Sequence, residues 1–523
     1  MGRHTAQAQA RRPASIICYS QLSGEKYVMK CKEGLRPIMF VGTASDVGKS
    51  VITAGFCRIF RQDGYNPAPF KAQNMSLNSF VTPDGLEIGR AQAVQAEAAG
   101  IPCHADMNPL LLKPTTDKAA QVVLLGKPIG NQSAKEYFLS GHRAALFSEV
   151  KGAFHRLACQ YAPIVMEGAG SISELNLKHL DITNMRMARE AGAATYLIAD
   201  IDRGGVFASL YGTMALLEPE EKALIKGIII NKFRGDADLF KEGRIQIEAL
   251  CGVPVVGVLP FFRDIFIEEE DSLARQLKEQ QPLTGAKVKI AVVLLERLSN
   301  FTDFDRLRQD PRIHLYYTRE VQEILDADVV ILPGSKNTLE DLRQLNNSGI
   351  SDAIRINHRQ KKTVIGICGG YQMLGESVED PLRVESSLGK VSGIGLLPVK
   401  TILQAVKTTR QRTFRFSDQA AEIVCEGYEI HMGHTRPLGE ERPLNYFMED
   451  GSADGYRLHS KCWGTYLHGI LDNPGVIDAL LAPYTDLEAL AVDHRQYKES
   501  QYDKLAALLR QHLDMPFIYK TLQ

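Results

Sequence analysis

Two short stretches of the chain carry residue types able to do chemistry. The first is Gly42-Thr-Ala-Ser-Asp-Val-Gly48-Lys49-Ser50. Gly42 and Gly48 let backbone amides turn inward around phosphate oxygens, Lys49 supplies a point charge, and the Ser50 hydroxyl is placed to hold Mg²⁺. Five residues separate the two glycines, one more than in the common nucleotide-binding loop. The second stretch is Thr363-Val-Ile-Gly-Ile-Cys368-Gly-Gly-Tyr-Gln-Met-Leu-Gly375. An apolar strand runs into Cys-Gly-Gly and then into a helical pattern, which puts a thiol on a tight turn at a helix N-terminus, where thiolate is favoured. Gly366, Gly369 and Gly370 supply the small neighbours that a strained nucleophile elbow requires.

Each stretch needs partners. Strands that run parallel deliver their following loops to one sheet edge, so polar residues at strand ends are candidates as a group. Lys71 ends the run Ala68-Pro-Phe, and Glu167 ends Ala162-Pro-Ile-Val-Met. The lysine is suited to neutralise a transferred phosphoryl group and the glutamate to hold Mg²⁺. Asn231 ends another run, where its amide could read an adenine edge. For the thiol, Gly464-Thr-Tyr-Leu-His468-Gly offers His468 as general base. The turn Pro333-Gly334-Ser335 is placed to aim a backbone N–H at an oxyanion, joined by the amide of Gly369.

The elements that position these residues alternate in type. Around Gly42 an apolar strand, Ile38 to Val41, precedes the loop, and a helix apolar at Val51, Gly55, Phe56 and Ile59 follows it. Further continuous apolar runs at 193–200, 225–231 and 253–260 suit a parallel sheet covered by helices on both faces. The polar, charged stretch 268–287 reads as a linker. A second alternation starts at Val288 and continues through 313–317, 328–334 and 363–368, while 413–417 and 427–431 look like antiparallel additions. The expected fold is therefore α/β with two doubly wound domains: 36–267 and 288–480, followed by a helical extension at 481–523. In that extension Leu505, Leu508, Leu509 and Leu513 share one helical face, read as packing.

Composition narrows the class. The chain has 523 residues, 44% hydrophobic, with a formal net charge of −1. Nothing in that balance attracts nucleic acid or a membrane surface, and no apolar run reaches the roughly 20 residues of a membrane span. Nine scattered cysteines without a C-x-x-C pair read as thiols of a cytoplasmic protein. Residues 1–35 read as a leader without an assigned role; its first 24 residues lack any acidic residue.

Gly-Thr-x-x-x-Val-Gly-Lys-Ser, the lysine on the next strand and Glu167-Gly-Ala-Gly170 resemble the dethiobiotin synthetase class of ATP-dependent ligases. That resemblance implies that ATP converts a carboxylate to an acyl phosphate, with Lys49, Ser50, Lys71 and Glu167 as phosphate and Mg²⁺ residues. Ala44 stands where that class often has an acid, so Asp46 is the expected substitute. The second half resembles class I glutamine amidotransferase domains, with Cys368 as nucleophile, His468 as its partner and Gly334 in the oxyanion hole. The usual His-x-Glu reads His468-Gly469-Ile470 here, so the triad acid is left unassigned.

The order of the halves, with Lys71-Ala-Gln-Asn-Met-Ser, Glu87-Ile-Gly-Arg-Ala-Gln92, Asp200-Ile-Asp-Arg-Gly-Gly and Gly427-Tyr-Glu-Ile-His-Met-Gly433, resembles the cobyric acid synthase family. This implies glutamine, ATP and Mg²⁺ as reactants and a corrinoid substrate, adenosylcobyrinic acid a,c-diamide, amidated at four carboxylates. Three rival readings are the a,c-diamide synthase of the same architecture, a P-loop ATPase switch and a regulatory protein with an inactive amidotransferase domain, against which Cys368 and His468 argue. Oligomeric state is left open.

Overall fold

The computed structural model describes residues 34–116, 118–133, 137, 143–268, 287–417, 422–484 and 494–523. Most of the expected leader and all of the expected linker between 269 and 286 lie outside the described residues.

The first domain is built on a six-stranded parallel sheet. Its strands run Val255–Pro260, Ile225–Phe233, Ala194–Asp200, Ile38–Gly42, Ile164–Glu167 and Ala68–Phe70 in spatial order. The strand that feeds the glycine loop sits near the middle, and Ile38, Met39, Phe40 and Val41 are wholly buried because helices cover both faces. A four-stranded sheet, Gln73–Met75, Leu110–Thr116, Ala119–Leu124 and Lys127–Ser133, is inserted beside it. The sequence pattern did not announce this sheet, since its first strand is three residues long and largely polar.

The second domain carries the sheet Ile313–Thr318, Val288–Val293, Val329–Leu332, Thr363–Ile367, Cys462–Thr465 and Tyr456–His459. All pairs are parallel except the last. The expected antiparallel additions form one long ribbon, Val399–Ser417 against Glu422–Pro437. The strand Leu467–His468 pairs with that ribbon and so fixes His468 beside it.

The helix Lys49–Gln62 is buried from Val51 to Phe60, more completely than a one-sided amphipathic helix would be. On its sheet side the Phe56 ring packs 4.7 Å from that of Phe40. Its other side meets the helix His494–His512, where a methyl group on Gly55 would fall 2.3 Å from Leu509. Gly55 therefore serves close helix approach. Leu505, Leu509 and Leu513 return to cover the first domain, Leu508 stays half-buried outside that cluster, and Gly257 bridges to Leu513. Glu268, the first residue of the expected linker, belongs to this packing: it pairs with Arg90 at 2.6 Å and with Lys498 at 3.0 Å.

The two domains meet through polar contacts. Asn300 Oδ1 accepts from the Ser79 amide and Asn78 Oδ1 from the Phe301 amide, both at 3.0 Å, while Gln411 Nε2 donates to Val81 O at 2.7 Å. Among the described residues no helix is long and apolar enough to cross a membrane. Cys57, Cys103, Cys251, Cys368, Cys425 and Cys462 are free thiols; Cys159 departs from the all-thiol expectation, being disulfide-bonded.

Candidate active sites

The glycine loop leaves the sheet edge in the conformation the sequence demands. Gly48 has φ +100°, and a methyl group there would lie 2.2 Å from Asn231 Nδ2. That same amide donates to Val47 O at 2.8 Å. Asn231 thus clamps the loop from behind with one N–H, which leaves its second N–H and its Oδ1 for the expected reading of an adenine edge. Lys49 Nζ reaches Ala44 O at 2.9 Å and Gly170 O at 3.0 Å, which lays it across the mouth of the loop.

Glu167, at the end of its strand and 1% exposed, is the hub of this site. Its Oε1 accepts from Ser50 Oγ at 2.7 Å and pairs with Lys71 Nζ at 2.8 Å; its Oε2 accepts from Gln95 Nε2 at 2.7 Å. Burial alone pushes its pKa up, but the Lys71 charge and these hydrogen bonds outweigh burial and hold the carboxyl below its ordinary value. An ionised carboxylate touching a serine hydroxyl is an oxygen pair that fits Mg²⁺, a hard cation that otherwise keeps water and phosphate as ligands. Asp46, the expected further acid, lines the same cavity as Ser50 and Glu167, and its exposed carboxylate pairs with Arg203 at 3.2 Å. Gln95, mid-helix and polar, gave no sequence signal; only the fold brings it to Glu167. The site opens into a cavity of about 1520 Å³ lined by Lys49, Lys71, Asn74, Arg143, Glu167 and Arg186 among others.

In the second domain Cys368 stands between the strand Thr363–Ile367 and the helix Gly369–Leu374 with φ +52° and ψ −109°. That is a strained conformation for a non-glycine residue, and it turns the thiol toward His468. The glycines around it have no room for side chains: a methyl group on Gly370 would lie 1.9 Å from Leu332 O, and one on Gly369 2.8 Å from Ser335 N. The turn Gly334–Ser335 thus approaches Gly369 closely, and a methyl group on Gly334 would fall 3.3 Å from His468 Cε1.

His468 is 1% exposed and stacks on the Tyr428 ring at 5.4 Å. Its Nδ1 lies 2.7 Å from Asp303 Oδ2, and Asp303 Oδ1 accepts from the Gly469 amide at 3.2 Å. Burial disfavours the imidazolium, but the Asp303 carboxylate and the Cys368 sulfur overcome it and raise the pKa to about 10. The result is a Cys–His–Asp constellation in which Nδ1–H is fixed on Asp303 and Nε2 is left for sulfur. Asp303 supplies the acid that the sequence left unassigned. It sits in the turn Phe301–Phe304 at the carboxyl edge of the second sheet, far from His468 in sequence. Its position in the loop region after the strand Val288–Val293 was the available signal.

Comparison with known proteins agrees with both halves. Residues 38–274 match the CobQ/CobB/MinD/ParA nucleotide binding domain, and residues 289–476 match the CobB/CobQ-like glutamine amidotransferase domain. A cobyric acid synthase of Parabacteroides distasonis is 59% identical over 94% of this chain and 100% of its own length. One of Bacteroides fragilis is 59% identical over 94% of this chain and 99% of its own, and one of Klebsiella pneumoniae 46% identical over 93% and 98%. The chain belongs to the cobyric acid synthase family of glutamine-dependent, ATP-using amidoligases.

Proposed function

We propose that the chain amidates the b, d, e and g side-chain carboxylates of adenosylcobyrinic acid a,c-diamide, giving adenosylcobyric acid. Glutamine supplies the nitrogen, and ATP with Mg²⁺ supplies the activation. The observation that carries this reading is that one chain holds both a complete Cys368–His468–Asp303 constellation and a glycine loop with an ionised Glu167 beside Ser50. Its relatives named cobyric acid synthase match it over nearly their whole length.

At the second site the Cys368 thiolate attacks the side-chain amide carbon of glutamine. The amides of Gly334 and Gly369 stabilise the oxyanion, and His468 Nε2–H gives its proton to the leaving nitrogen, so NH₃ departs and a thioester remains. Water then attacks the thioester, with His468 as base, and glutamate leaves. At the first site a substrate carboxylate oxygen attacks the γ-phosphorus of ATP, forming an acyl phosphate and releasing ADP. Ammonia adds to the acyl carbon and phosphate leaves, forming the amide. Lys49 and Lys71 hold the transferring phosphoryl charge, while Ser50 and Glu167 would hold Mg²⁺, which when bound offsets charge between the β- and γ-phosphates. The wide cavity supports a substrate that must present several carboxylates in turn. The interdomain contacts at Ser79, Asn300 and Tyr428 support a short internal transfer of ammonia.

The test is product mass after incubation of the a,c-diamide with ATP, Mg²⁺ and glutamine. Four successive amidations are expected. No amidation with either glutamine or ammonia would remove the corrinoid reading.

A further inference from the structure

Four charged side chains line the pocket that holds Cys368 and His468: Lys113, Lys336, Glu385 and Lys407. Two of them are ion-paired where they stand, sharing one carboxylate. Lys113 pairs with Glu87 Oε1 at 2.7 Å and donates to Ser79 Oγ, and Lys407 pairs with the other oxygen of Glu87. The other two are not. Lys336 is 7% exposed and makes no salt bridge among the described residues, although Glu385 and the Cys368 sulfur are among the charges that act on it. Glu385 is partly buried and accepts from the Thr338 amide at 3.1 Å, again with no cation within salt-bridge distance among the described residues.

Both residues are rigidly placed. The Lys336 amide donates to Arg297 O at 2.9 Å, directly after the turn that carries Ser335. The loop of Glu385 is organised by the buried Asp380 carboxylate, which accepts the amides of Val384, Glu385 and Ser386 at 2.8, 2.9 and 3.0 Å. Opposite charges withdrawn from water and not joined to each other are costly, and the cost is relieved when a ligand with both charges lies between them. Burial moves Lys336 down and Glu385 up, the directions expected of charges awaiting a partner.

We propose that Lys336 and Glu385 form the site for the amino-acid head group of glutamine: Lys336 takes the α-carboxylate and Glu385 the α-ammonium, with the side-chain amide directed at Cys368. This rests on the glutaminase reading given above. It makes the two residues selective for a free amino acid over a peptide-bound or esterified glutamine.

The test measures glutamine hydrolysis by the full chain with three substrates: L-glutamine, L-glutamine α-methyl ester and N-acetyl-L-glutamine. Lys336→Met should raise KM for glutamine roughly 10- to 100-fold, the loss expected for a buried charge-assisted contact, with kcat changed far less. KM for the ester, which lacks the carboxylate charge, should barely move, and Lys336→Arg should recover part of the loss. Glu385→Gln should do the same for glutamine relative to the N-acetyl compound. Unchanged KM ratios in both variants, or a fall in kcat alone, would overturn the head-group site. Absence of glutamine hydrolysis by the wild type would instead overturn the glutaminase reading and this proposal with it.

Discussion

The two sites are built in opposite ways. At the thiol site the chemistry is closed in before substrate arrives: Cys368 is 7% and His468 1% exposed, and the histidine is locked to Asp303. At the glycine loop a single buried hub, Glu167, faces a cavity of about 1520 Å³ lined by both basic and acidic side chains. A small amino acid and a thioester that must not leak ammonia suit the first; a nucleotide and a bulky polycarboxylate suit the second. The contrast shows how one chain separates nitrogen release from carboxylate activation.

Variants sharpen that contrast, beginning with the largest effect. Cys368→Ala is expected to lower glutamine-dependent amidation by roughly 10⁴-fold or more while ammonia still supports it, measured by product mass with each nitrogen source. Equal loss with both would mean that the sites are not separable. Asp303→Asn leaves the shape intact but permits the wrong imidazole tautomer, so glutamine hydrolysis should fall roughly 10²- to 10⁴-fold. An unaffected rate would remove Asp303 from the constellation.

On the other side, Lys49→Ala or Glu167→Gln should cost on the order of 10²- to 10³-fold in amidation whichever nitrogen source is used. A defect confined to glutamine would contradict the division. Asn231→Ala frees the Val47 carbonyl and should raise KM for ATP by only several-fold, about 1 kcal/mol. A change in base preference between ATP and GTP would instead support the adenine-reading role.

The smallest effect is on stability. The folded pKa of His468, about 10, lies above its ordinary 6.5, so its contribution is fully present below pH 6.5 and is lost as pH rises through about 10. Urea midpoints should therefore fall over that window, and fall less in Asp303→Asn. Identical pH dependence in the two proteins would show that Asp303 does not hold the imidazolium.

The legibility of these sites in the sequence follows the same division. Local chemistry was readable: the glycine loop, the Cys-Gly-Gly elbow and the strand ends at Lys71 and Glu167 declare themselves because conformation and reactivity are set by neighbours in the chain. Residues brought in by topology were not. Asp303 reaches His468 from a turn at the start of the second domain, and Gln95 reaches Glu167 from the middle of a helix. Asn231 and Asp46 combine the two: strand-end position and loop membership marked them, and only the fold adds their contacts to Val47 and Arg203. Glu268 looked like solvated linker because its sequence neighbours are charged, yet Arg90 and Lys498 fold over it. The C-terminal stripe was right as a packing face, and only the fold could say that it covers the first domain.

The most direct test of the account is the fate of the glutamine nitrogen. With glutamine labelled with ¹⁵N at its side-chain amide, and unlabelled ammonium present in the bulk, the corrinoid product should carry ¹⁵N in its new amides. Product carrying only the bulk ¹⁴N would contradict the claim that the two sites act as one enzyme.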